Sequence, residues 1–138
     1  MSTATIQVLR GFLTDHDPRW LAEDVELHDR TRPEPCRGRG EAGAWWTRLC
    51  CDVFGDARAD TTRVTLEGSR AAVEWLFRGR HIGSLHGEIP SGRVIAVPMA
   101  GIFEVVDGEI RRADLYYDSV GLLRQLGVPL AAAGSAER

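Results

Sequence analysis

Val94-Ile-Ala-Val-Pro-Met-Ala-Gly-Ile-Phe-Glu-Val-Val-Asp-Gly-Glu-Ile-Arg-Arg-Ala-Asp-Leu-Tyr-Tyr-Asp118 is the stretch that decides the fold. Two apolar, β-branched runs flank Asp107-Gly108. That pair is a strong hairpin signal, because a two-residue turn asks for positive φ at both positions. The stretch therefore predicts two long antiparallel strands. Pro98 has no N–H to give to a ladder, so it predicts a bulge or a free edge at that point. After Asp118 the pattern changes. Ser119-Val-Gly-Leu-Leu-Arg-Gln-Leu-Gly127 has helical spacing and a glycine stop. A hairpin that ends in tyrosines and carboxylates and then breaks into a short helix can hold polar groups at the mouth of a pocket.

Upstream, residues 4–13 predict an amphipathic helix with Ile6, Leu9, Phe12 and Leu13 on one face. Asp17 before Pro18 reads as the N-cap of a brief helical turn holding Trp20. Val25-Glu-Leu-His-Asp29 alternates like a strand, and residues 31–40 form a loop broken by proline and glycine. Residues 41–54 predict the main helix, with Ala44, Trp45, Leu49 and Val53 on one face and Trp46 and Cys50 beside it. The rest is strand: 57–66, a turn at 67–69, 71–77 running on towards His81, and a glycine-rich hairpin through His86 and Pro90. Helices followed by antiparallel strands predict an α+β fold, and a strongly bent sheet wrapped over a few helices would leave a blind cavity between them. Residues 1–128 form one domain and 129–138 a frayed tail.

Composition narrows the function. The chain has 138 residues, a net charge of −3, and arginine as its only Lys/Arg-type residue. No basic surface points to nucleic acid, and no apolar run has the length of a membrane span. The absence of lysine excludes Schiff-base chemistry on a lysine. Cys36, Cys50 and Cys51 are odd in number and lack metal-site spacing, so neither zinc nor a disulfide framework is expected. No phosphate loop, nucleophile elbow or nucleotide fingerprint occurs. A cytoplasmic protein without metal or cofactor is the expectation.

The chain as a whole resembles the SnoaL-like polyketide cyclases, which have the nuclear transport factor 2-like cone. The resemblance rests on Asp24-Val-Glu-Leu-His28, Gly38-Arg39 before a tryptophan-bearing helix, Gly55-Asp-Ala-Arg58, Arg78-Gly-Arg-His81, Pro90-Ser-Gly-Arg93, and Ile102-Phe-Glu-Val-Val-Asp-Gly-Glu-Ile110. Tyr117-Asp118 before Gly121-Leu-Leu-Arg-Gln-Leu-Gly127 is its most specific part. It implies a strongly curved, mainly antiparallel six-stranded sheet wrapped on about three helices, a cone with a central cavity. It also implies a homodimer, an apolar or polycyclic polyketide-like ligand, and an acid/base aldol ring closure of secondary metabolism. Isomerase, dehydratase and epoxide-opening activities, or a non-catalytic binding module, occur on similar proteins. The ion-paired triad of the epoxide hydrolases is missing, since Leu115 and Glu74-Trp-Leu76 fall on its positions.

The resemblance implies Asp118 as the acid/base group; an aspartate in front of a helix is equally an N-cap. It also places His28 where related folds have a proton-transfer group, the alternative being a hydrogen-bonded histidine at the sheet edge. Asp114 is the third catalytic candidate, on the strand face of Tyr116 and Asp118. If Ala113, Leu115 and Tyr117 form the inward face instead, Asp114 looks outward. Asp29 is expected on the surface, as are His16, His86 and the arginines Arg30, Arg32, Arg111 and Arg112. Trp46, Trp75, Phe77, His81, Met99, Phe103 and Tyr117 are the candidates to line the ligand cavity, with plain core packing the alternative for each aromatic.

Overall fold

A computed structural model describes residues 2–85 and 87–129, which leaves His86 and most of the expected tail outside the described residues. Helix α1 (Ser2–Asp15) is followed by a 3₁₀ turn at Pro18–Trp20, strand β1 (Leu21–Asp29) and the short β2 (Cys36–Arg37). Helix α2 (Gly38–Thr47) runs into a π-helical turn at Arg48–Val53. Then come β3 (Phe54–Glu67), β4 (Arg70–His81), β5 (Val94–Val106), β6 (Glu109–Tyr117) and α3 (Ser119–Gln125). The strands form one six-stranded sheet in the order β2-β1-β6-β5-β4-β3. All neighbours are antiparallel except β1 and β6. This is the α+β cone that the sequence predicts.

Local chemistry accounts for most boundaries. Asp17 caps the 3₁₀ turn by accepting from the Arg19 N–H, with Pro18 at its first position. Val106 pairs with Glu109 across a two-residue turn in which Asp107 (φ 52°) and Gly108 (φ 77°) are both left-handed. Pro98 sits in an unbroken register with β4, Leu76 opposite it. Beyond the pair of Met99 and Tyr117, β6 has ended. The missing N–H therefore faces a free edge, and no bulge is needed.

Three expectations are corrected. The main helix starts earlier, at Gly38, and ends in the π turn, and its buried residues are Ala42, Gly43, Trp46, Cys50 and Val53. Ala44 is exposed and Trp45 only half-buried. Trp46 fixes this rotation, for its ring stacks on Phe12 at 4.5 Å and its N–H donates to the Phe12 carbonyl at 3.2 Å. Residues 82–93 form no strand hairpin, only a bridge between Leu85 and Glu88. His16 is half-buried against Trp46, ring centroids 6.0 Å apart, and burial lowers its pKa.

The helices cover one face of the sheet. That inner face carries Ala71, Val73, Trp75 and Phe77 on β4, Ile95, Val97, Met99 and Phe103 on β5, and Ile110, Ala113 and Leu115 on β6, all buried. Between Ile110 and Ala113 the β5–β6 register shifts by one residue, so Arg111 and Arg112 form a bulge. The bulge changes the strand's parity. Without it, Ile110 would share a face with Asp114 and Tyr116; with it, Ile110 shares a face with Ala113, Leu115 and Tyr117.

Candidate active site

Bulky side chains fill the narrow half of the cone. Trp46, Trp75 and Phe103 are buried there around Phe12, with Phe103 edge-on to Phe12 at 6.3 Å and Trp75 tilted against Phe103 at 6.4 Å. These three expected ligand-lining residues are core packing. Open space begins at the other end, where β5 starts and β6 stops. Phe54, Phe77, Met99 and Tyr117 form its floor and wall; Leu49 and Leu85 close one side, and Ser119, Leu122 and Leu123 of α3 close the other. The enclosed cavity is about 40 Å³, room for about three waters. Of the expected lining residues, Phe77, Met99 and Tyr117 are there.

The polar equipment of this pocket comes from β1 and β6. Tyr117 donates its phenolic proton to Asp29 Oδ2 at 3.0 Å. Asp29 Oδ1 accepts from Thr31 Oγ1 at 2.7 Å and from the Thr31 N–H at 2.9 Å. The expectation that Asp29 lies on the surface is overturned: it is 5% exposed. Its parity explains why. Val25 and Leu27 point inward, and Asp29 continues their alternation. That signal was present in the sequence, masked by the choice of His28 as the more familiar base. Burial, together with the neighbouring Asp29 carboxylate and against the Thr31 hydrogen bond, pushes the Tyr117 phenol up to about 12. Tyr117 is thus held protonated, with its donor already engaged by a buried carboxylate.

The other predicted acid/base groups lie elsewhere. Asp118 is exposed and caps α3, its Oδ1 accepting from the Gly121 N–H at 2.8 Å. A Cβ at Gly121 would collide with that carboxylate, which is why glycine stands at the third helical position. His28 has the opposite parity to Asp29 and hydrogen-bonds through Nε2 to the Arg32 carbonyl at 3.0 Å. Asp114 pairs with His28 across the β1–β6 ladder, on the outer face. It is 7% exposed there beneath two arginines, with Arg30 at 2.8 Å and Arg112 at 3.0 Å. Asp114 therefore faces away from the pocket, and the bulge at Arg111, which puts it on the face opposite to Ile110, is the physical reason. Arg30 and Arg112 are ion-paired, not merely solvated.

His81 is 1% exposed on the inner face, against Phe54 with ring centroids 5.9 Å apart. Its Nδ1 accepts from the Ser91 N–H at 3.0 Å, so the ring proton sits on Nε2, which has no partner among the described residues. Trp75 Nε1 is likewise a buried donor without a partner. Among the described residues no three His, Cys, Asp or Glu side chains are grouped to hold a metal ion, and no helix is long and apolar enough to cross a membrane.

Comparison with known proteins agrees with this architecture. The family model for SnoaL-like polyketide cyclases matches residues 5–126. The chain belongs to that family. The nogalonic acid methyl ester cyclase of Streptomyces nogalater is 34% identical over 74 residues, 54% of this chain and 55% of that protein. The match thus spans about half the length of that relative. A SnoaL-like protein of Jannaschia sp. CCS1 superposes with a TM-score of 0.81 at 17% identity, covering 92% of this chain and 94% of that one. IdmH from Streptomyces antibioticus superposes with a TM-score of 0.72 at 27% identity, covering 91% and 98%.

Proposed function

We propose that this member of the family closes a ring in an apolar, polyketide-like substrate by cofactor-independent aldol chemistry, with Tyr117 facing the substrate and Asp29 behind it. One observation carries the reading: the wall of a largely apolar pocket holds a phenol hydrogen-bonded to a buried carboxylate. The carbon between two carbonyls loses its proton to the phenolic oxygen as the phenolic proton passes to Asp29. The resulting enolate carbon attacks a second carbonyl carbon and forms the C–C bond. The carbonyl oxygen takes a proton from Tyr117, which recovers its own from Asp29. Protons and electrons balance without a further reactant. Such methylenes are already acidic, so holding the chain folded supplies much of the rate.

His81 remains a proposal as a ligand donor, since its buried Nε2–H has no partner among the described residues. A homodimer is proposed as well. No described helix covers the outer sheet face, which carries Leu76, Pro98, Ile102 and a 46% exposed Tyr116. Light scattering of the purified protein at micromolar concentration tests it, and a monomer there overturns it. A cytoplasmic location is consistent with three free cysteines.

The test of the mechanism uses an aromatic methyl ester carrying a β-polycarbonyl chain. Tyr117→Phe and Asp29→Asn are each expected to slow ring closure by about 10²-fold or more. Asp118→Ala and His28→Ala are expected to stay within a few fold of the parent. The reverse ranking, or no ring closure by the parent on a panel of such esters, overturns the proposal.

A further inference from the structure

We infer that α3 is a gate over the pocket, and that Gln125 is the positioning residue that latches it. The inference rests on the reading of this pocket as the substrate site. Its starting point is a mismatch of size. A cavity of about 40 Å³ cannot admit a polycyclic ligand, which needs several hundred. Space has to come from a wall that moves, and the walls differ in how they are held. Phe54, Phe77, Met99 and Tyr117 stand on strands in the sheet. Leu122 and Leu123 stand on a helix of seven residues whose packing within the sheet is against β5.

The way α3 is attached is unusual. In an antiparallel ladder the N–H and C=O of alternate residues point to the same neighbour. Those of Ala96 are bonded to Gln125 on the side away from β4, so those of Pro98 and of Ala100, which lies opposite Tyr116 of β6, point the same way. At Ala96 and Pro98 β6 is missing, because it stops at Tyr117 opposite Met99. Proline answers one gap by having no N–H. A side chain answers the other: the Gln125 amide accepts from the Ala96 N–H at 2.7 Å and donates to the Ala96 carbonyl at 2.8 Å. The amide stands in for a peptide group of the strand that is not there. Arg93 adds a weaker strap to the Gln125 carbonyl at 3.3 Å. At the other end the chain turns at Asp118, whose carboxylate caps α3 and moves with it. Two neutral hydrogen bonds and a few leucines are a light closure that can open without disturbing the sheet.

Amide hydrogen exchange on the full chain tests the gate without any ligand. Among the described residues the Ala96 N–H is covered only by Gln125, while the N–H groups of Ile95 and Val97 point to β4. If α3 opens on its own, Ala96 exchanges at least about tenfold faster than Ile95 and Val97 in the unmodified protein. Equal exchange at the three amides means that α3 leaves only with global unfolding, and it overturns the inference. Stopped-flow binding of a hydroxyanthraquinone probe supplies the second arm. A gated pocket gives an association rate that saturates with probe concentration, at a plateau that Gln125→Ala and the size-matched Gln125→Met raise about tenfold. A rate linear in probe and unchanged by both substitutions overturns the gate. Fast exchange at Ala96 with no probe binding upholds the gate and removes the substrate reading instead, so the two failures are distinguishable.

Discussion

Replacing Tyr117 by phenylalanine removes one oxygen and tests the pair at the centre of the pocket. The lost bond is a hydrogen bond to a carboxylate, worth about 1.5–3 kcal/mol. Asp29 keeps its two bonds from Thr31, so the expected loss at neutral pH is near the lower end, about 1.5–2 kcal/mol. The alkaline limb separates this from a packing effect. In the folded protein the phenol is raised from 10.0 to about 12. A raised folded value means that the stabilisation is complete below pH 10 and is lost as pH rises through 12, because the unfolded chain releases its proton first. Two units are on the order of 3 kcal/mol, enough to remove the difference between the two proteins. Urea unfolding at a series of pH values from 7 to 12 is the assay. The buried Cys50 and Cys36 thiols, also raised, give both proteins the same slope. The two stability curves are therefore expected to converge above pH 10, the parent falling faster by the Tyr117 contribution. Ultraviolet absorbance of tyrosinate gives a second reading: the chain has two tyrosines, and the component near pH 12 vanishes in Tyr117→Phe. Curves that stay parallel from neutral to alkaline pH would refute the argument that the phenol is buried and bonded to a carboxylate.

Three further outcomes follow from the same geometry. Asp118→Ala removes a helix cap and is expected to cost about 1 kcal/mol in urea unfolding, with ring closure within a few fold of the parent. Burial lowers the pKa of His16 below 6.5, so its contribution is present above that value and lost as pH falls through the lowered one. His16→Asn should flatten the parent's decline in thermal stability on the acid side. The double change Arg30→Met/Arg112→Met leaves Asp114 buried without either cation. It is expected to cost about 3–5 kcal/mol, with Asp114→Asn in that background recovering part of the loss.

What was legible in the sequence was local. The turn at Asp107-Gly108 and the cap at Asp17-Pro18 are chemistry within four residues, and both are found as expected. The six-stranded curved sheet followed from the resemblance. The site was legible only where it lay on an apolar alternation. Phe77 and Met99 line the pocket because their strands alternate regularly up to it. Asp114 was ambiguous for a physical reason. Whether it faces in or out depends on one extra residue at Arg111, and nothing within the two-arginine stretch marks a bulge. The rotation of α2 was set by Trp46 stacking on Phe12, a contact across 34 positions that helical periodicity cannot see. The attachment of α3 through Gln125 is equally non-local, since its partner is the free half of a strand 29 positions away.

The chemistry of the pocket depends on the register of one parallel strand pair. Leu27 lies beside Ala113 and Asp29 beside Leu115, both inward, and Tyr117 leans back to Asp29 from two residues further on. Between Leu21 and Glu26 the β1 strand uses five steps where β6 uses two, from Ile110 to Arg112. That irregularity brings the inward parity of β1 into phase with that of β6 at their ends. A shift of one residue there would turn His28 into the pocket and Asp29 out of it, since successive strand side chains alternate faces. The aspartate and the histidine are neighbours in the chain, so no composition or spacing argument separates them. The apolar residues before them do. Val25 and Leu27 must be buried, and the residue two beyond Leu27 goes in with them. The packing of apolar neighbours decides which of two adjacent polar residues enters, and the carboxylate that the core carries inward is the one that meets the phenol.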